Sequence, residues 1–253
     1  TNNASPYFEG GLAGIGWGIE YLVQNGFVEA NTDEILEEVD SRIFQHVIHT
    51  EKVPINFNNG LLGYATYIIW RLKNCHNPEL YKIQEGLLIE IVNKITVLLD
   101  KQLVNYSEPA GFNLFWDLPV ILLVFGEILE LGIYRNKIYQ VLKELTPVVC
   151  TLIPLLHCNR VFLLRGIYKI TKNYQLAHWE KHANILASNI LFQTILYEEF
   201  TDRSIFLHNG LAGVCTMVHA ISRQSKLNGQ EFIPDLWWEK ILNSSVWDLL
   251  EQK

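Results

Sequence analysis

Three short stretches of the chain repeat one pattern. EGGLAGIGWGIEYL begins at Glu9, NNGLLGYATYIIWRL at Asn58 and HNGLAGVCTMVHAI at His208. Each carries Gly-Leu-x-Gly followed by an apolar run with helical spacing. Gly11, Gly60 and Gly210 are separated by 49 and 150 residues, so the second gap is close to three periods of the first. Two degenerate copies are expected between them. FWDLPVILLVFGEIL from Phe115 supplies one, with Asp117 in the glycine position. CNRVFLLRGIYKI from Cys158 supplies the other, with Arg160 there. A fixed period of this size marks a chain built by repeating one supersecondary unit, in which each unit buries its apolar face against its neighbours.

Between successive copies lies a second, amphipathic helix. Over Thr32 to Ile48 the residues Ile35, Leu36, Val39, Ile43 and Val47 form one stripe, while Glu34, Glu37, Glu38 and Arg42 fall elsewhere. Glu79 to Leu99, Lys137 to Leu156, His178 to Phe200 and Asp235 to Leu250 take the same role. No window alternates as a strand would or carries hairpin-turn chemistry. The expectation is an all-α chain, one domain over residues 1–253, of about five helical hairpins. The first helix of each hairpin is apolar nearly all round and should be buried on both sides. A closed α/α ring or an open solenoid both satisfy that. The glycines favour a ring, because inner helices crowd towards an axis. FEGGLAGIGWGIEYL carries five glycines, each costing roughly 1 kcal/mol against alanine inside a helix. A tight entry turn and close packing of an inner helix would account for them.

Composition narrows the functional classes. The chain is 49% hydrophobic and 19% charged with a net charge of −7, so it can bury a large core. Its 20 Lys and Arg are scattered and form no basic stripe, which argues against nucleic acid as a partner. No apolar run reaches the length needed to span a bilayer; the run from Val120 is interrupted by Glu127 and Glu130. Cys75, Cys150, Cys158 and Cys215 lie far apart, a spacing that suits reduced thiols in the cytoplasm rather than a disulfide framework.

GGLAGIGWGIEYL, NGLLGYATYIIWRL and HNGLAGVCTMV resemble the Gly-Leu-x-Gly repeats of the lanthionine synthetase C-like family, the lantibiotic cyclases and their relatives. The resemblance covers most of the chain in period and pattern, and is specific at three repeats. It implies an α/α toroid, usually of seven hairpins, so this chain reads as an incomplete ring lacking an N-terminal hairpin or two, with an oligomer or partner covering the open end. It also implies modification of a ribosomally made peptide. In family cyclases a zinc ion at the toroid mouth is held by a Cys two positions before one glycine and a Cys-His pair before the next. The metal lowers the pKa of a peptide thiol, which then adds to a dehydrated Ser or Thr. Here His208-Asn209-Gly210 stands where Cys-His-Gly would be, so two of the three family ligands are replaced. Cys158 keeps the first Cys position and His157 stands beside it.

The corresponding loops should converge on one end of the ring. They bring together Glu9, Asn58, Asn59, Trp116, Asp117, His157, Cys158, Arg160, His208 and Asn209, a polar rim over an apolar barrel. Cys158, His208 and His157 are the zinc-ligand candidates. Asp117 with His208 is the candidate acid–base pair. Asn58, Asn59, Trp116, Arg160 and Asn209 form the candidate substrate rim. Asn and Asp at helix starts also suit simple capping, and a free Cys is commonly a buried thiol. Three functions stay open: a peptide cyclase with a degenerate site, a non-catalytic toroid that binds a peptide or partner protein, and a carbohydrate-active α/α barrel. The last needs two carboxylates across a cleft, for which Glu9 and Asp117 are the only rim candidates.

Overall fold

The computed structural model describes residues 4–104, 113–200, 205, 210–222 and 232–247, with the side chains of 101–104 excepted. Every regular element among them is helical. The chain divides into two compact units, Thr1–Lys143 and Glu144–Lys253.

In the first unit the first helices of the repeats are the glycine-led α1 (Leu12–Gln24) and α4 (Leu61–Asn74), and α6 (Asp117–Leu131), where Asp117 takes the glycine position. Their partners are the short α2 (Thr32–Ile35) with α3 (Glu37–His49), then α5 (Pro78–Val104), then α7 (Arg135–Thr151), which runs past the unit's end. α4 lies at the centre, packed on α1, α5 and α6. It is buried along nearly its whole length, including Leu61, Leu62, Tyr64, Ala65, Ile68 and Leu72, as an all-round apolar helix must be. The second unit contains α8 (His157–Thr171), α9 (Ala177–Ser188), the single turn α10 (Phe192–Thr194), a π-helical turn at Ile195–Glu199, α11 (Leu211–Ser222) and α12 (Pro234–Leu242). Here α8 packs on α9 and α11, and α12 on α11.

The glycine motif has a definite mechanical purpose. The first-turn amides of α1 are bonded by the loop that precedes the helix: Leu12 N donates to Ser5 O at 2.9 Å and Ala13 N to Tyr7 O at 3.2 Å. α4 repeats this, with Leu61 N to Pro54 O at 2.8 Å and Leu62 N to Ile55 O at 3.3 Å, and Ala212 N of α11 reaches Ile205 O at 3.3 Å. The orphan donors of a helix start are thus satisfied by backbone folded back over them, in place of a capping side chain. That arrangement leaves no room for a Cβ. One on Gly11 would lie 2.5 Å from Tyr7 O, and ones on Gly14, Gly60 and Gly63 would overlap the carbonyl oxygens of Phe8, Pro54 and Phe57. Gly16 is different: it accepts the ring of Tyr67 from α4 against its backbone.

Several boundaries differ from the sequence expectation: α5 runs on past Leu99 to Val104, the helix expected over Asp235 to Leu250 ends at Leu242 with Asn243 as its C-cap, and three others have a clear local reason. The helix expected over Thr32 to Ile48 breaks at Leu36, which is 1% exposed and turns inwards, while Ile35 points outwards at 54% exposure. The helix expected over His178 to Phe200 stops at Ser188. Asn189 turns its side chain back on the Ile185 carbonyl at 2.8 Å, and its own N–H goes to Leu186 O. The helix expected over Lys137 to Leu156 ends at Thr151, three residues before Pro154, since the residue ahead of a proline is disfavoured in helical conformation.

Candidate functional site

In the first unit the glycine loops of the first two repeats do meet. Phe8 N and Glu9 N donate to the Asn58 carbonyl at 3.0 and 2.9 Å. The Phe8 and Phe57 rings meet at a tilt of 56° with centroids 4.5 Å apart. Asn58 therefore acts through its backbone, as a bracket between loops. Asn59 is exposed, and its amide donates to Asn56 Oδ1 at 3.1 Å. Neither caps α4, whose N-cap is Gly60. Asp117 opens α6 and is buried. Its Oδ2 accepts from Asn113 N at 2.7 Å while its own N–H returns to Asn113 O at 2.7 Å, closing the loop in front of the helix. Burial raises the Asp117 carboxyl above its ordinary value, against the lowering effect of that amide. Trp116, just before it, is 42% exposed. The partner expected for Asp117, His208, lies outside the described residues, as does Asn209.

In the second unit α8 begins at His157, so Arg160 sits inside the helix and not at its glycine-like entry. Cys158 and His157 belong to the first turn, and their amides point into a carboxylate. Glu199, the last residue of the π-helical turn, accepts from His157 N at 2.5 Å and from Cys158 N at 2.9 Å. A carboxylate at a helix N-terminus gains both hydrogen bonds and the favourable end of the helix dipole. Arg160 fastens the surrounding chain. Its guanidinium donates to Pro154 O at 2.8 Å, Leu155 O at 3.2 Å and Asn189 O at 2.6 Å. His157 Nδ1 lies 3.1 Å from the Leu191 amide, the Asn189 carbonyl and the Arg160 guanidinium alike, so the ring is held at the junction of the three.

Cys158 and His157, two of the three zinc-ligand candidates, share the first turn of α8, and the third, His208, lies outside the described residues. Cys158 is 5% exposed, and its thiol is pushed up to about 12 by burial and by the neighbouring Glu199 charge. A zinc ligand must present a thiolate or an unprotonated imidazole nitrogen. Among the described residues no group of three or more His, Cys, Asp and Glu side chains is arranged around a common point for a metal. Replacing Glu199 by Gln should therefore cost the second unit about 1–2 kcal/mol, as charge-assisted bonds become neutral ones. It should also speed alkylation of Cys158, whose thiol loses a neighbouring negative charge. Denaturation curves and the pH dependence of thiol labelling measure the two effects.

The most highly charged interior feature lies in the first unit, at the far end of the inner helices from the glycine loops. Arg71 of α4 is fully buried and meets three carboxylates: Glu20 of α1 at 2.6 Å, Asp40 of α3 at 2.8 Å and Asp33 of α2 at 3.3 Å. Its Nε also donates to both Asp40 oxygens, at 3.1 and 3.2 Å. Tyr67 donates to Asp40 Oδ1 at 2.5 Å, while Gln24 and Asn74 donate to Glu20 Oε2 at 2.9 and 3.2 Å. Asp33 Oδ2 accepts the amides of His76 and Asn77, each at 3.1 Å, tying in the Asn74–Glu79 joint. Burial alone would lower the Arg71 pKa; the bonds to Asp40 and Glu20 outweigh it and raise the value. Burial and Asp40 together raise that of Tyr67. Every partner is occupied within the cluster, so it acts as a buried clasp joining four helices.

The sequence reading missed this clasp, although its signals are visible. Asp40 falls on the same stripe of α3 as Leu36, Ile43 and Val47, and Glu20 and Arg71 each interrupt an otherwise apolar inner helix. A lone charge on a core stripe needs a partner, and here the partners lie 51 and 31 residues apart in sequence. No helix among the described residues is long and apolar enough to cross a membrane. No family model, curated protein or solved structure matches the chain.

Proposed function

We propose that this chain is a lanthionine synthetase C-like helical-repeat protein that serves the maturation of a ribosomally made peptide by binding the peptide or a partner enzyme, without thioether chemistry of its own. The repeat pattern supports the family reading. One observation supports binding over catalysis: Cys158 is buried at the N-terminus of α8 with the Glu199 carboxylate closing that end, and burial together with that charge raises its thiol. A cysteine that ligates zinc is needed in the opposite form, as the thiolate. The carbohydrate-active reading draws no support, because the Asp117 carboxylate is bound to its own loop.

Metal analysis of the purified protein tests the proposal. The expected result is less than stoichiometric zinc, with no change on chelation and none in Cys158→Ser. One zinc per chain that disappears in Cys158→Ser would overturn the binding reading in favour of a cyclase-like centre.

A further inference from the structure

Within the first unit α4 is packed on α1, α5 and α6. The residues it leaves less than fully buried are Thr66, Trp70, Lys73 and Asn74. Asn74 turns to the Arg71 clasp. Thr66, Trp70 and Lys73 lie a helical turn apart and so define one open strip of the helix. Alignment at Gly11 and Gly60 puts Trp17 and Tyr21 of α1 at the repeat positions of Thr66 and Trp70. Both are open as well: Trp17 is half-buried and Tyr21 is 40% exposed. The first two repeats thus leave the same face open, and across the two helices that face is largely aromatic.

The rings form one connected row. Phe8 meets Trp17 with centroids 5.8 Å apart, and Trp17 meets Tyr21 at 5.6 Å and Trp70 at 5.8 Å. Tyr21 in turn stacks on Phe27 at 6.4 Å, and Phe27 is 68% exposed. The Trp17 and Trp70 planes stand at 75° to one another, so they make a corner and not a flat shelf. A flat shelf suits the face of a sugar ring; a corner suits a side chain inserted between two rings. Among the described residues neither indole N–H has an acceptor. Two donors beside apolar rings suit the carbonyls of a peptide backbone.

Charge selects the kind of peptide. The faces of aromatic rings attract cations. The strip already does so: Lys73 Nζ lies 5.6 Å from the centre of the Trp70 ring, and Glu127 holds it at 2.5 Å. The first unit contains 17 acidic and 10 basic residues, so the whole net charge of −7 resides in it. A field of that sign draws a cationic partner. We infer that the Trp17–Tyr21–Trp70 strip docks a short basic peptide segment. An Arg or Lys side chain enters the Trp17–Trp70 corner, and the carbonyls beside it accept from the indole N–H groups. The inference rests on the binding reading above and names the class of peptide. The zinc measurement tests that reading through Cys158 and leaves these rings out, so the two fail separately.

A display library of short random peptides, selected on the purified full chain, tests this. The enriched peptides should carry Arg or Lys beside apolar residues, and their affinity should fall as salt rises. It should drop about tenfold in Trp17→Leu and in Trp70→Leu, as for other buried aromatic anchors. Tyr21→Ser changes an exposed position, so it removes a ring while keeping the fold, and should weaken the same peptides severalfold. Thermal melts of the variants separate lost docking from lost folding. Failure to enrich any peptide, a pool without basic residues, or unchanged affinity in the variants that melt like wild type would overturn the inference. So would quenching of tryptophan fluorescence by cellohexaose, a neutral oligosaccharide, in wild type but not in Trp17→Leu, since the strip would then be a sugar site.

Discussion

Arg71→Leu should destabilise the first unit by about 3–5 kcal/mol, the cost of leaving buried carboxylates without their cation. Glu20 is fully buried and Asp40 6% exposed, so neither can recover its hydration without opening the fold. Glu20 keeps Gln24 and Asn74, and Asp40 keeps Tyr67, but those are neutral donors. Urea denaturation followed by the fluorescence of Trp17 and Trp70, which lie 5.8 Å apart beside the clasp, provides the measurement. The companion variant Arg71→Leu with Glu20→Leu and Asp40→Leu removes all three principal charges together and should recover most of the loss, because a well-packed apolar replacement of a buried ion cluster is often neutral or stabilising. A loss below about 1 kcal/mol in the single variant would show that the carboxylates find water or another cation, and would remove the clasp from the account of stability.

The second large effect is a contrast between two glycines four residues apart. Gly14→Ala should cost about 1–3 kcal/mol, because the added methyl overlaps the Phe8 carbonyl and the loop that satisfies the first turn of α1 must shift. Gly18→Ala should stabilise the same helix by up to about 1 kcal/mol, since nothing opposes the methyl and the unfolded chain loses freedom. Thermal denaturation of the two variants beside wild type reads both signs in one experiment. Equal losses would mean that helix packing alone, and not the folded-back loop, sets the demand for glycine at position 14.

Much of the architecture was legible before the structure. The hairpin period, the all-helical class and the starts of α1, α4 and α11 follow from Gly11, Gly60 and Gly210, because a helix entry that folds a loop over its own amides excludes any larger residue. The start of α8 was not legible. Arg160 is no substitute for glycine; it lies a turn into the helix, and the entry is sealed by Glu199 from 41 residues further on. That contact depends on the break at Asn189 and the π-helical turn, which together swing the chain back to α8. The glycines favour a ring, which the resemblance reads as incomplete, and each unit carries its own share of the hairpins.

For the candidate site the limit was chemical. Residue type placed Cys158 and His157 among metal ligands, but protonation state depends on neighbours. Burial and Glu199 push the Cys158 thiol up, and His157 Nδ1 sits among the Leu191 amide, the Asn189 carbonyl and the Arg160 guanidinium. Local spacing by itself determined the repeat, its helices and the places where only glycine fits, since those are short-range steric matters. The tertiary structure alone decided which charges meet around Arg71 and which thiol is pushed up, since each depends on groups brought together across tens of residues in a medium where an unpaired charge is costly.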